Sequence, residues 1–504
     1  MTSLHFLPID TSARLHWAYF VLMPLFMLLG CQPQFVVFID IDAPVVSQLA
    51  ENSKLTPDAA IDMIRIDVLG QQGELIDVCQ FPITSIDELP LSFGIAPNPD
   101  VDRFLLRIRA YRSKWATPVG TVGHRLYCGQ PRRSGEQIFL SEPRSDLAID
   151  RVVLLPRLGA NAQSFGVRLS LDCMGDPPSF LSQTTCVNNR RLQGYHPRFD
   201  ADVELTPIAQ RHDFPTLAGQ SALAFEIPCG REPPATLKND VVCIKGGFMI
   251  RGDVSQNHRY PLVGGETAPM QPMVISPVFL ARTEVTVGQY RAALAKGLAI
   301  DPIPPRQAQQ RINESLRHLC TWDDSSGSQL PLNCITWESA QRYCRALGGN
   351  LPSESQWEHA ARGRGRSWAY PWGDTTATSN CKASMARGVP DAMGGCTRMP
   401  CGIEPVGSHP AAACPEGGDV TPEEVLDLGG SMAEWVLDPA VDYSQRCGLS
   451  PGVSLDPVCS LPGYPTRIQR GGLWYGLPEV GHAALRFAGY SSVGGGFRCA
   501  YPGS

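Results

Sequence analysis

The chain has 504 residues, of which 43% are hydrophobic and 18% charged, with 48 Gly and 44 Pro. That length allows about two to four domains, and so loop-rich a composition excludes a coiled coil or a largely disordered chain. A net charge of −6 with no long Lys/Arg run excludes nucleic-acid binding through a basic patch.

At the N-terminus, Arg14 and His16 precede an apolar run from Trp17 to Leu29, followed by Gly30 and Cys31. The run is short for a bilayer-crossing helix and suits the core of an export signal. Leu28-Leu29-Gly30-Cys31 resembles a bacterial lipobox. Residues 1–30 are therefore expected to be a signal peptide and Cys31 the lipidation site, giving a protein anchored in the cell envelope and facing the outer membrane or periplasm. An ordinary signal peptide or an uncleaved anchor would use the same run and also export the chain. Without Cys31, the 17 cysteines fall to an even 16, the number expected of disulfides in an oxidising compartment.

Short strands follow. Phe35–Ile39, Ile64–Val68, Glu74–Val78 and Phe104–Tyr111 are apolar or alternate with period two, with Gln71-Gln72-Gly73 as a turn between two of them. They point to a β-sandwich of immunoglobulin-like type over residues 31–132. Arg151–Leu155 and Phe165–Leu171 suggest a second, Cys-containing β-rich region over 133–235, where Cys173 and Cys186 flank a loop suited to disulfide closure. A Pro/Gly cluster at Pro228–Pro234 marks a boundary. Beyond it, Thr336 is expected to cap a helix beginning at Trp337 and ending at Gly348-Gly349. Ser353, with Gln356 three residues on, forms a capping box for a second helix ending at Gly363.

Several blocks in residues 240–504 carry a resemblance. They are Glu284-Val285-Thr286; Asn350-Leu351-Pro352-Ser353-Glu354-Ser355-Gln356-Trp357-Glu358; Tyr370-Pro371-Trp372-Gly373; and Gly429-Gly430-Ser431-Met432-Ala433-Glu434-Trp435. Arg470-Gly471-Gly472-Leu473-Trp474 and Gly496-Phe497-Arg498-Cys499-Ala500 complete the set. In this order they resemble the sulfatase-modifying-factor, or formylglycine-generating-enzyme-like, family. The resemblance implies an α+β domain of C-type-lectin-like fold with much irregular structure, following the N-terminal β-sandwich in a multidomain chain. Trp357, Trp435, Glu358, Glu434, Arg470 and Arg498 read as structural anchors, the charged ones as buried ion pairs rather than an active site.

Catalytic members of the family hold copper(I) on two cysteines after the Arg-Gly-Gly block, because soft thiolates suit that ion. Here the positions in register are Gly476 and Gly481, so copper is not expected. The ten histidines include no H-x-x-x-H pair of the kind used by the family's iron enzymes. Calcium is the cofactor the resemblance leaves open, on Glu434, Ser431 (where the family has Asn) and Asn380. His482, Arg486, Tyr475 and Tyr490 fall where the family's substrate groove would close, His482 and Arg486 suited to acid–base work or an anionic ligand. The favoured expectation is a non-catalytic or divergent family member recognising an exported protein or a glycan. The alternative is an oxidoreductase of the formylglycine-generating or non-heme-iron type acting on an exported protein or sulfur-containing substrate.

Overall fold

The computed structural model describes residues 35–70, 73–95, 104–121, 139–155, 163–193, 206–207, 217–253, 267–301, 314–323, 327–377, 381–390, 393, 395–412, 414–443, 451–461, 463–489 and 493–504. The apolar run from Trp17 to Leu29, Cys31, Asn380 and Tyr490 lie outside these residues. The described chain is mostly β-structure with few helices and divides into two compact units, one running to Ala224 with Pro451–Val453, the other from Phe225 onward.

In the first unit, strands Leu75–Pro82, Met63–Leu69, Leu105–Tyr111 and Ala148–Leu154 form one four-stranded antiparallel sheet in that order. A second sheet is ordered Thr206–Pro207, Gln163–Leu169, Phe35–Ile41, Leu91–Ile95, with Phe35–Ile41 parallel to Gln163–Leu169. The period-two alternation in Met63–Leu69 puts Ile64, Ile66 and Val68 on one face, all fully buried. The opposite face carries Arg65 and Asp67, buried as well and paired within a charged cluster: Arg65 Nε donates to Asp67 at 2.9 Å, while Arg109 binds Asp67 and Glu142. The two expected modules, 31–132 and 133–235, are in fact one unit. Leu105–Tyr111 pairs along its length with Ala148–Leu154, and Phe35–Ile41 with Gln163–Leu169, so neither stretch could close its sheets alone. A four-residue helix α1 (Gln48–Glu51) is an excursion from this unit, and Cys173–Cys186 forms the expected disulfide.

Among its described residues the second unit has three small sheets and three short helices joined by irregular chain. Helix α2 (Val287–Ala295) starts from a capping box between Thr286 and Gln289; α3 (Trp337–Ala346) is capped by Thr336, and α4 (Glu354–Ala361) by a Ser353–Gln356 box. On their buried faces Tyr290 stacks on Tyr343 at 5.1 Å, Phe497 meets Tyr343 edge-on, and Trp357 is fully sequestered. The sheet that positions the charged residues of the family blocks runs Arg486–Gly489, Arg467–Arg470, Ala433–Pro439, Gly495–Gly496, with Arg470 opposite both Arg486 and Glu434.

The fourteen described cysteines are all disulfide-bonded. Cys344–Cys499 spans 155 positions and Cys229–Cys243 closes the start of the second unit. Such bonds persist in oxidising compartments and mark an exported protein. No described helix is long and apolar enough to cross a membrane.

Candidate functional site

Helix α4 presents Glu354 and Glu358 one turn apart, and both are buried. Arg486 binds Glu354 in a two-pronged contact, Nε to Oε1 at 2.6 Å and Nη2 to Oε2 at 2.9 Å, while its guanidinium lies 3.9 Å over the Tyr443 ring. Arg251 covers the same ring, also at 3.9 Å. Arg470 donates to Glu358 at 2.5 Å and to the carbonyls of Ala483 and Ala484 at 2.9 and 3.0 Å. Arg362 completes the lattice by donating to Glu358 at 3.0 Å. Burial alone would raise the Glu354 carboxyl, but the Arg486 and Arg470 guanidiniums hold it down to about 2. Glu354 therefore stays ionised, and both carboxylates are bound by arginines, as buried acidic groups must be.

Beside this lattice sits His482, 5% exposed rather than open in a groove. Its Nδ1 accepts the Ala484 N–H at 3.2 Å, which leaves Nε2 as the protonated nitrogen, 3.6 Å from Asp253. Burial, and then the positive charge of Arg362, push the imidazole down to about 4. It is therefore a neutral, positioned side chain at neutral pH, without the access that acid–base work on a substrate needs. Arg486 is engaged with Glu354 and offers no anion site. Tyr475 packs edge-on against Trp474 at 4.9 Å, and burial raises its hydroxyl. Each of the three groove candidates is held by different partners: Asp253, Glu354 and Trp474.

Glu434 and Ser431 do not form an oxygen cage. Both Glu434 oxygens accept from Arg498, at 2.6 to 2.9 Å, and Oε2 also accepts from Trp357 Nε1 at 2.9 Å. The Ser431 carbonyl already accepts the Trp474 N–H at 2.7 Å. A guanidinium occupies the carboxylate that a calcium ion would need, so these two residues do not fit that cation. Sequence reasoning missed a second set of acids, Glu284, Asp419 and Asp427, all buried. Burial and the charge of Asp427 push Glu284 well above the ordinary carboxyl range and Asp419 up to about 7. Asp419 accepts the Gly429 N–H with both oxygens at 3.0 Å, and Asp427 accepts that of Gly407 at 2.5 Å. Glu284 belongs to the Glu284-Val285-Thr286 block and Asp427 stands two residues before the Gly429–Trp435 block, which was the available signal for these two; Asp419 lies in no block.

The described geometry is that of a domain ordered by Trp, Gly and buried Glu–Arg pairs, and the same motifs select a family. The model of the sulfatase-modifying factor enzyme 1-like domain matches residues 230–501. The chain belongs to this family. Among curated relatives, the serine/threonine-protein kinase Pkn1 of Chlamydia trachomatis serovar L2 is 28% identical over 174 residues, 34% of this chain and 24% of that protein. The inactive C-alpha-formylglycine-generating enzyme 2 of Mus musculus is 44% identical over 46 residues, 9% of this chain and 15% of its own. The hercynine oxygenase of Mycolicibacterium thermoresistibile is 33% identical over 112 residues, 22% of this chain and 21% of its own. The matched stretches thus span 24% or less of each of these relatives. Among solved structures, PvdO from Pseudomonas aeruginosa aligns with 56% of this chain and 98% of its own, at 19% identity and a TM-score of 0.37.

In this sulfatase-modifying-factor-like domain the positions in register with the family's copper-binding cysteines are Gly476 and Gly481. A Cβ on Gly481 would lie 2.2 Å from Met385 Cε and 2.3 Å from the Gly429 carbonyl oxygen, so the backbone is packed where a side chain would emerge. Gly472 is similarly closed, 2.2 Å from the same carbonyl oxygen. With the described cysteines all oxidised, no thiolate pair among them suits copper(I).

Proposed function

We propose that this protein is a lipid-anchored component of the bacterial cell envelope whose sulfatase-modifying-factor-like domain recognises a protein or glycan and does not carry out copper-dependent oxidation. The observation that carries the reading is the closed packing at Gly481, where Met385 and Gly429 fill the space a ligating side chain would need. The burial of His482 and the engagement of Arg486 by Glu354 support it, since neither is free to handle a substrate. A relative named as an inactive formylglycine-generating enzyme makes such a loss of chemistry familiar within the family. In this reading the first unit acts as an immunoglobulin-like spacer between the anchor at Cys31 and the recognition domain.

Two measurements on the full chain test it. Expressed in a bacterium fed a palmitate analogue, the parent should take up label and sediment with membranes, and Cys31→Ser should do neither; equal labelling of the two would remove the anchor. Purified protein supplied with copper(I) and a cysteine-containing peptide should consume no oxygen above the copper-only control. Sustained uptake with loss of the peptide thiol would restore the oxidoreductase reading.

A further inference from the structure

A cleft of about 560 Å³ opens in the second unit, away from Gly476, Gly481 and His482, none of which lines it. Its wall is formed by the start of strand Val241–Ile244, the capped end of α2, the last turn of α3 and strand Ala500–Pro502. The volume is that of a small-molecule or single-side-chain site.

Tyr343 and Tyr501 line this cleft and are each only 4% exposed. Neither hydroxyl hydrogen-bonds to a described residue, and neither oxygen is sealed from solvent. Both hydroxyls therefore stand open to the cleft, free to hydrogen-bond a ligand that enters it. Asp240 stands at the rim, its carboxylate without an ion-pair or hydrogen-bond partner among the described residues. It lies close enough to act on both tyrosines: burial first, and then Asp240, push the Tyr501 hydroxyl up to about 12, and Asp240 contributes to the rise at Tyr343. Among the described lining residues the one cation, Arg282, is already bound to Glu424, through the carboxylate at 2.7 Å and the carbonyl at 3.2 Å. Val285, Leu347 and Val406 add an apolar wall.

An ammonium group has three donors and no acceptor. One carboxylate and two phenol oxygens offer three acceptors and a single uncompensated negative charge, and the aliphatic wall can cover a methylene stem. We propose that this cleft binds a primary alkylammonium group, as on the side chain of an exposed lysine of a partner protein. The inference deepens the recognition reading by naming what would be recognised, yet the cleft is separate from the Gly481 region, so either can fail without the other.

The test uses N-acetyl-lysine methylamide as probe, titrated calorimetrically into the full exported chain at neutral pH. Its ε-acetylated form and glucose are run beside it. The amine should bind saturably and the other two should not. Asp240→Asn should weaken binding about tenfold or more, the loss expected for one charged hydrogen-bonded contact. Tyr343→Phe keeps the ring against Tyr290 and should weaken it less while leaving the thermal midpoint nearly unchanged. Equal binding of the acetylated probe, binding of glucose in its place, or no saturable binding up to about 10 mM would each overturn the assignment.

Discussion

Replacing Arg498 by Met removes the side chain that ties together the most distant motif blocks of the second unit. Arg498 and Glu434 are both 0% exposed. Besides Glu434, Arg498 donates to the carbonyls of Ala281, Arg282 and Leu426 at 3.0, 3.1 and 2.8 Å. Arg498→Met strands the Glu434 carboxylate with one neutral donor, Trp357. Breaking a buried pair from one side costs about 3–5 kcal/mol, and each carbonyl that water cannot reach adds about 1 kcal/mol. Against a typical total stability of about 5–15 kcal/mol, the single variant should be barely folded. Glu434→Gln combined with Arg498→Met removes the stranded charge, so the double variant should recover about 2–3 kcal/mol of the loss. Urea unfolding followed by tryptophan fluorescence, with disulfides intact, across parent, both singles and the double, reads this coupling directly. A single-variant cost under about 1 kcal/mol, or strictly additive effects, would mean that the pair is exposed to water and the buried lattice does not exist.

Asp419→Asn should change how stability depends on pH. Burial and Asp427 raise the Asp419 carboxyl from 3.8 to about 7, so its support for the fold is full below the unfolded value and is lost as pH rises through about 7. The thermal midpoint of the variant minus that of the parent should therefore climb between about pH 4 and pH 7 and then level off; a flat difference would show that the carboxyl titrates normally. Mild reduction followed by alkylation and mass spectrometry should label the exposed Cys396 and its partner Cys401 first. Cys344–Cys499, at 0% and 2% exposure, should resist until the domain unfolds, and its removal should cost up to about 5 kcal/mol from loop entropy. Gly481→Cys should destabilise by about 1–3 kcal/mol, measured by urea midpoint, because its Cβ would press on the Gly429 carbonyl.

Local signals carried much of the fold. Thr336 and Ser353 cap α3 and α4 as expected, because an N-cap, with or without the reciprocal bond of a capping box, is decided within four residues. The same box between Thr286 and Gln289 starts α2, a helix that the sequence reading did not assign. Glu358, Glu434, Arg470 and Arg498 were legible as buried ion pairs, since so many charges in a Trp- and Gly-rich domain need partners. Which Arg meets which Glu was not: Arg486 reaches Glu354 across 132 positions and Arg498 reaches Glu434 across 64. The same limit explains the N-terminal unit, where pairing of distant strands merged two expected modules. His482 drew attention as a lone histidine in a glycine-rich loop, and only the packing of Asp253, Arg362 and Tyr370 around it revealed that it is buried. The cleft at Asp240 had no sequence signature, because Tyr343 and Tyr501 are brought together from an α-helix and the final strand.

Whether the domain has given up the family's copper chemistry is decided by an anaerobic copper(I) titration of the purified, oxidised protein against a chromogenic chelator, with oxygen consumption followed on admitting air. The closed packing at Gly481 and the oxidised cysteines predict that the chelator keeps the copper, that no thiolate-to-copper absorption appears, and that oxygen is not consumed. Stoichiometric transfer of copper(I) to the protein with a thiolate band would contradict this, and turnover with a cysteine peptide would return the domain to the oxidoreductases.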